Sequence, residues 1–297
     1  MNLGIDVGNG YTKFNEGKFA SKVKVGEIIN FGKVKKEIHQ VEFEGIKFIV
    51  GEGAAFTGDN RYFEKYYKLC LLTAIALSSK EDFIEANLVI GLPEKKFKLL
   101  GDKLQKHIES FGQQQIKVKD TLYNIRINDC LVFIEGAYPI KTEEEYNVLV
   151  IDNGAGTINV TQWEELAITT SASYNEGMNK MYADITSYLN TNKEGADFKP
   201  SEIEKIINKK SVIIDNKETD ITDIRPIVEN HIVETASYIK NDFKVKNASK
   251  IYLIGGGGAD TITYWQKQFP VIQLVENSQM INQKIYDLVA DSEFNEQ

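Results

Sequence analysis

The chain has 297 residues, 42% hydrophobic and 26% charged, with a formal net charge of -8 and a pI near 5.2. Length and composition fit a soluble protein of two domains and exclude a disordered chain, while the acidic balance excludes a protein devoted to coating nucleic acid. Two cysteines, Cys70 and Cys130, are too few and too isolated for a disulfide framework or a zinc site, and His39, His107 and His231 share no ligand spacing.

The opening MNLGIDVGNG has no basic n-region followed by an apolar h-region, and the apolar runs fall far short of a membrane span, so a cytoplasmic protein without membrane contact is expected. Leu3, Ile5 and Val7 alternate up to Asn9-Gly10, and Tyr11–Phe14 follow, which predicts a β-hairpin. Lys33–Lys36 is a local basic run, read as a solvated face. A second hairpin is expected in QVEFEGIKFIV, turning at Glu44-Gly45, with Val41, Phe43, Phe48 and Val50 alternating around it. Residues 62–78 and 95–109 have helical spacing, and NLVIGLP reads as a buried strand that stops at Pro93. Strands are predicted at 115–119 and 122–127, then in LVFIEGAYP. Cys70 and Cys130 lie in apolar stretches and read as buried free thiols.

Near residue 147 the pattern restarts. YNVLVIDNGAGTINVTQW repeats the order of residues 2–15: apolar strand, Asp, Gly-x-Gly, Thr, strand. Helices are predicted over 176–190, 201–209 and 223–241, with Pro200-Ser201 and Glu204 as a capping box for the second. KIYLIGGGGAD reads as a buried strand running into a glycine loop and a short helix, and the tail from about 278 as one more helix.

Three loops carry chemistry. In IDVGNGYTK, Asp6 ends a strand and can hold a hydrated Mg²⁺. Gly8 and Gly10 let backbone N–H groups approach phosphate oxygens, and Lys13 can reach the β- or γ-phosphate. Taken alone, this loop reads as an ordinary hairpin with a polar residue near its tip. IDNGAGT repeats it with Asp152, Gly154, Gly156 and Thr157, and two matched copies favour a polyphosphate held from both sides. The run Gly255-Gly256-Gly257-Gly258 exceeds what a turn needs, and a flat nucleobase or ribose against bare backbone explains the excess. No Gly-Lys-Ser/Thr follows any of these, so this is not a Walker A loop, and Gly8 and Gly10 open a hairpin rather than a helix, unlike a dinucleotide fingerprint.

IDVGNGYTK resembles the first phosphate motif of the actin superfamily, IDNGAGT its second and YLIGGGGAD its adenosine motif. FIEGAYP resembles the first connecting motif, and SYNEGMNKM the segment that closes over the nucleotide. The resemblance implies an α/β fold of two RNase H-like domains, residues 1–146 plus 277–297 and residues 147–276, with a nucleotide cleft between them and a smaller subdomain at about 180–245. Sugar kinases and heat-shock chaperones of the superfamily carry insertions for which this length leaves no room. FIVGEGA and LVIGLP resemble the ParM/StbA group of plasmid-segregating actins and their archaeal-type relatives, and NSQMINQKIYDL is a loose match to its closing segment.

Carried over, the resemblance implies ATP/ADP and Mg²⁺ as cofactors. Asp6 and Asp152 would position the metal, and Glu135 would orient or activate the attacking water, the alternative being a carboxylate favoured at a helix N-terminus. Gly8, Asn9, Gly10 and Lys13, with Asn153, Gly154, Ala155 and Gly156, would hold the phosphates. Gly177 would sit near ribose and phosphates, and Gly255, Gly256 and Gly257 at the adenosine. Glu202 and Lys205 would flank the base, or form an exposed i,i+3 ion pair. Ala155 stands where conventional actins have a second acidic residue. The function implied is a bacterial actin-like ATPase forming nucleotide-dependent filaments for plasmid segregation, meeting centromere DNA only through a small DNA-binding adaptor. A small-molecule kinase of the same superfamily, or a non-filamentous nucleotide-gated binding module of the cell-division or pilus-assembly type, fits the same core.

Overall fold

The structure, a computed structural model, describes residues 1–28, 35–58 and 60–295. Lys33 of the basic run falls outside these; Lys35 and Lys36 are exposed. Two compact units divide the chain, Met1–Lys141 with Met280–Gln297, and Thr142–Gln279.

The first unit is built on β1 (Asn2–Val7), β2 (Tyr11–Phe14), β3 (Gly17–Ala20), β4 (Lys22–Val25), β5 (His39–Phe43), β6 (Ile46–Val50) and β7 (Ala54–Ala55). Helix α1 (Lys65–Leu77), β8 (Phe83–Leu92), α2 (Glu94–Glu109), β9 (Gln113–Val118), β10 (Thr121–Ile134) and α3 (Tyr138–Thr142) follow. The sheet runs β3-β2-β1-β8-β10-β9-β5-β6-β4-β7. Helix α1 buries nine of its 13 residues, as a helix apolar on nearly all sides must. Cys70 lies on it, and burial pushes its thiol up to about 12; Cys130 on β10 is also a buried free thiol.

The second unit has β11 (Val148–Asn153), β12 (Ile158–Glu164), β13 (Ala167–Tyr174), α4 (Met178–Asn192), α5 (Pro200–Ile203), β14 (Ser211–Ile214), β15 (Lys217–Asp220), α6 (Arg225–Asp242), β16 (Lys250–Ile254), α7 (Gly258–Gln268) and β17 (Ile272–Leu274). Its five-stranded sheet runs β13-β12-β11-β16-β17. All six residues of β11 are buried, as in a strand covered on both faces. A separate apolar cluster gathers Met181, Ile185 and Leu189 of α4 with Ile203, Ile221 and Val228.

The repeat read from the sequence extends to topology. β3-β2-β1 and β13-β12-β11 are antiparallel meanders, and β1-β8-β10 and β11-β16-β17 continue them with parallel pairs. Both hairpin turns expected at Asn9-Gly10 and Glu44-Gly45 are present.

Three expectations are corrected. The strand at 122–127 and the one in LVFI are a single strand, β10, whose register against β8 slips between Ile127 and Asp129; a bulge carries the chain past one unpaired residue without ending the strand. The helix at 201–209 shrinks to Pro200–Ile203, and i→i+3 bonds such as those from Lys205 to Glu202 and from Ile206 to Ile203 continue it only as turns. Its capping carboxylate is that of Glu202, which accepts from the N–H of Lys199 at 2.8 Å, and not Glu204.

Helix α8 (Ile281–Asn295) lies against β1 and β8. β1 pairs with β2 only at Asp6 and Val7, so Gly4 has no ladder partner on that side. Asp287 accepts from the Gly4 N–H at 2.7 Å and Gln283 donates to its carbonyl at 3.2 Å. A Cβ on Gly4 would come within 2.2 Å of the Asp287 backbone nitrogen. Gly4→Ala is therefore expected to destabilise the protein by about 3 kcal/mol, in the range of overpacked cores. The denaturation midpoint reads this, and an unshifted midpoint would mean that α8 is not seated there. Among the described residues, no helix is long and apolar enough to cross a membrane.

His39 is buried at the start of β5 with its ring edge-on to Phe19, 5.6 Å away. Burial first, then Lys119, lowers its pKa from the usual 6.5 to about 4, against an opposing effect of Glu37. Below pH 6.5 the unfolded chain takes up this proton before the folded one does. The contribution of neutral His39 is thus complete above that pH and is lost as pH falls towards 4. From pH 7 to pH 5 the loss is expected to be about 2 kcal/mol. Urea denaturation at both pH values should show it in the wild type and much less in His39→Gln; equal slopes in the two proteins would exclude His39 as the cause.

Candidate functional site

In the first unit, Asp6 and Lys13 are register partners across the β1–β2 hairpin. Opposed residues of an antiparallel pair project to one face, and the Lys13 ammonium donates to the Asp6 carboxylate at 2.7 Å. The loop between them is closed by the Gly8 N–H donating to the Tyr11 carbonyl at 3.0 Å, and the Gly10 carbonyl accepts from Ser21. Gly8, Asn9 and Gly10 remain half-buried and reachable.

Glu135 directly follows β10. Its N–H donates to the Leu92 carbonyl at 2.9 Å, and the next residue, Gly136, has φ +80° and donates to Asn282. The backbone on both sides of this half-buried carboxylate is therefore fixed.

The second unit repeats the first loop closely. The Gly154 N–H donates to the Thr157 carbonyl at 3.0 Å, as Gly8 does to Tyr11. Asp152 pairs in register with Asn159, the place of Lys13 in the first hairpin. The second hairpin thus carries no cation at that place, and Asn159 accepts from Ser173 instead.

Helix α4 starts on this loop. Met178 and Asn179 donate their N–H groups to the carbonyls of Gly154 and Ala155. A Cβ on Gly177 would lie 2.4 Å from the Gly156 carbonyl carbon, so only glycine fits at that N-cap. His231 holds the carbonyl of Glu176 at 2.8 Å through Nε2.

The glycine run packs on the same loop. Gly255 has φ +90°, and a Cβ there would lie 2.4 Å from Asp152 Oδ1. A Cβ on Gly257 would strike the Met178 sulfur at 2.4 Å. These two glycines are thus required by protein contacts, a reason the sequence reading did not give; Gly256 is the exposed one, its neighbour being the Gln279 side chain.

Asn153 ties the loops together. It is buried, its Nδ2 donates to Thr261 Oγ1 at 3.0 Å, and its carbonyl accepts from the Gly257 N–H at 2.9 Å. Asp152, Ala155, Gly156, Gly177, Gly255, Gly256 and Gly257 therefore form one cluster. Glu202 and Lys205 are exposed on the segment after Lys199, with the Glu202 carboxylate turned back to its own N-cap.

Asp6 and Asp152 each offer a hard oxygen donor at a strand end beside a glycine loop. A carboxylate of this kind suits Mg²⁺, which takes one or two carboxylates and completes its shell largely with water. Among the described residues no three His, Cys, Asp or Glu side chains form a metal cage.

Residues 4–137 match the family profile of the actin-like proteins' N-terminal domain. A search of curated proteins gives no significant match. Among solved structures, the archaeal actin homologue Ta0583 is similar with a TM-score of 0.85 at 18% identity, covering 98% of this chain and 99% of that one. The same protein in complex with ADP is similar with a TM-score of 0.79 at 18% identity and the same coverage. A 15-stranded ParM filament from Clostridium botulinum gives a TM-score of 0.83 at 19% identity, over 98% of this chain and 99% of its subunit. At such identities the likeness is one of fold. Residues 4–137 thus match the N-terminal domain of the actin-like proteins, and the whole chain shares the fold of the archaeal actin homologue and of ParM.

Proposed function

We propose that this protein is an ATPase that assembles with copies of itself into nucleotide-dependent filaments, and that these filaments segregate plasmid DNA. The observation that carries the reading is the pair of matched glycine hairpins, each with an aspartate at its strand end and an N–H closed on the residue three along. In this reading residues 1–146 with 277–297, and residues 147–276, are the two nucleotide-binding domains.

ATP engages both hairpins. Backbone N–H groups of Gly8–Gly10 and Gly154–Gly156, with the Lys13 ammonium, hold the phosphates, and Gly255–Gly257 lie at the adenosine end. Asp6 and Asp152 would hold Mg²⁺, which when bound neutralises charge on the phosphate oxygens. Phosphoryl transfer needs positioning and charge neutralisation more than covalent help. Glu135 accepts a hydrogen bond from the attacking water and aims it; water adds to the γ-phosphorus as the bond to the bridging oxygen breaks, giving ADP and phosphate.

Bound ATP favours the form that joins its neighbours, so nucleotide state shifts the assembly equilibrium. Head-to-tail contacts that do not close into a ring extend as filaments. The net charge of -8 suits a polymer that meets DNA through a small DNA-binding adaptor in the cytoplasm.

High-speed sedimentation with Mg-ATP, Mg-ADP, a non-hydrolysable analogue or no nucleotide, with phosphate release followed in parallel, tests this. Protein is expected in the pellet with ATP or the analogue above a critical concentration. Protein that binds ATP but never sediments would exclude the filament. Turnover that requires an added small acceptor would then point to a kinase, and sedimentation only with a partner to a nucleotide-gated binding module.

A further inference from the structure

Arg61 has no part in the scheme above, and it is a buried cation. It is 3% exposed, in the 3-10 turn Arg61–Phe63 ahead of α1. Nη2 donates to the Val7 carbonyl at 3.0 Å. Nη1 is buried without a hydrogen-bond partner among the described residues. The guanidinium lies 4.4 Å from the centre of the Tyr62 ring, and among the described residues no carboxylate forms an ion pair with it.

A guanidinium stays charged whatever surrounds it, and a buried charge without a counter-ion is destabilising. Burial works against the Arg61 charge, while Tyr62, Tyr67 and Glu135 act in its favour. A methionine would fill similar space without that penalty, so packing alone does not explain the arginine. Besides Tyr62, which also hydrogen-bonds it, Arg61 relates to Val7 and Glu135, at the ends of β1 and β10, two strands that both run parallel to β8. Val7 is the last residue of β1, between Asp6 and Gly8, and Glu135 is the carboxylate at the end of β10. Both belong to the first unit.

We propose that Arg61 is a positioning residue for ATP hydrolysis: it fixes the Val7 carbonyl and so aims the N–H groups of the first glycine loop, and its charge favours the Glu135 carboxylate at the same end of the sheet. This inference rests on the nucleotide reading above. The hydrogen bond sets the direction in which the chain leaves β1, and the Gly8–Tyr11 closure builds on that direction. Catalysis by preorganised backbone donors fails steeply when their aim drifts.

Three variants separate the contributions. Arg61→Met removes charge and donor, Arg61→Gln keeps a donor, and Arg61→Lys keeps the charge. Two readouts are needed: amide hydrogen exchange of residues 8–11 without nucleotide, and kcat and KM for phosphate release. Arg61→Met is expected to speed loop exchange and to lower kcat about tenfold or more, with KM changed by less than about threefold. Arg61→Lys is expected to keep kcat within about threefold of wild type, and Arg61→Gln to keep slow loop exchange but lose turnover about fivefold or more. A folded Arg61→Met with wild-type exchange and kcat would overturn the proposal, as would equal losses in the Lys and Met variants. Should Arg61→Met not fold, the comparison of Gln with Lys decides, and equal rates overturn it. If the wild type itself neither binds nor hydrolyses ATP, the nucleotide reading has failed, and loop exchange in the variants still decides whether Arg61 braces the loop.

Discussion

Glu135→Gln is expected to slow phosphate release by about 100- to 1,000-fold, with nucleotide affinity held within about threefold. The substitution keeps the shape of the side chain and removes its negative charge. Local backbone geometry should survive, because the Glu135 N–H bond to Leu92 and the conformation of Gly136 hold it. A residue that acts on the attacking water contributes mainly to the transition state, so the loss belongs in kcat. If hydrolysis governs disassembly, polymers of this variant, or of Glu135→Ala, also outlive those of the wild type in a sedimentation time course. Phosphate release at the wild-type rate would place the water-orienting group elsewhere. A parallel collapse of binding would instead show Glu135 to be a structural contact of the loop after β10.

Lys13→Met is expected to destabilise the nucleotide-free protein by about 3 kcal/mol, as removal of one member of a buried ion pair does. The side chains of Lys13 and Asp6 are 13% and 5% exposed, so water replaces the lost ammonium poorly. Replacing the second member restores balance: Asp6→Asn with Lys13→Met is expected to recover most of the loss. The four proteins of this cycle, unfolded by urea without nucleotide, give the coupling directly. A single-variant cost below about 0.5 kcal/mol would class the pair with exposed salt bridges. High salt should leave the coupling largely intact, because screening is weak at a buried pair. Phosphate oxygens and Asp6 would compete for the same ammonium, so ATP binding and this ion pair are expected to trade against each other.

The two glycine hairpins were legible in the sequence because their pattern is local. Asp, two glycines and the flanking apolar residues sit within one short segment, and the same string recurs at 152–156. Periodicity misled at 201–209. Ile203, Ile206 and Ile207 have helical spacing and are buried, yet a chain of turns buries them equally well, and the pattern does not distinguish the two. The β14–β15 hairpin went unread although its turn residues, Asp215 and Asn216, both have positive φ. The β12–β13 turn gave no such warning: Glu165 and Leu166 take φ +51° and +59°, conformations neither residue type announces.

Other parts of the candidate site depend on distant neighbours. Nothing near Arg61 signals burial, since its partner Val7 lies 54 residues away. Asn153 reads as a loop residue facing a ligand, whereas its amide is turned to Thr261, 108 residues on. Gly255 and Gly257 read as room for a base, and their immediate reason is room for Asp152 and Met178.

The seating of α8 has a consequence for biosynthesis. Asp287 and Gln283, which complete the hydrogen bonding of Gly4, leave the ribosome about 280 residues after it. At translation rates of about 5–20 residues per second, β1 waits on the order of tens of seconds for its cover. Residues 142–279 form a continuous stretch and can condense as they emerge. The nascent N-terminal sheet meanwhile exposes the backbone around Gly4 and the surface at Gly91 that Tyr286 later fills. Vectorial synthesis therefore delivers the second unit complete before the first, and that interval is when an unfinished chain is most exposed to chaperones and to mispairing with a neighbour on the same polysome.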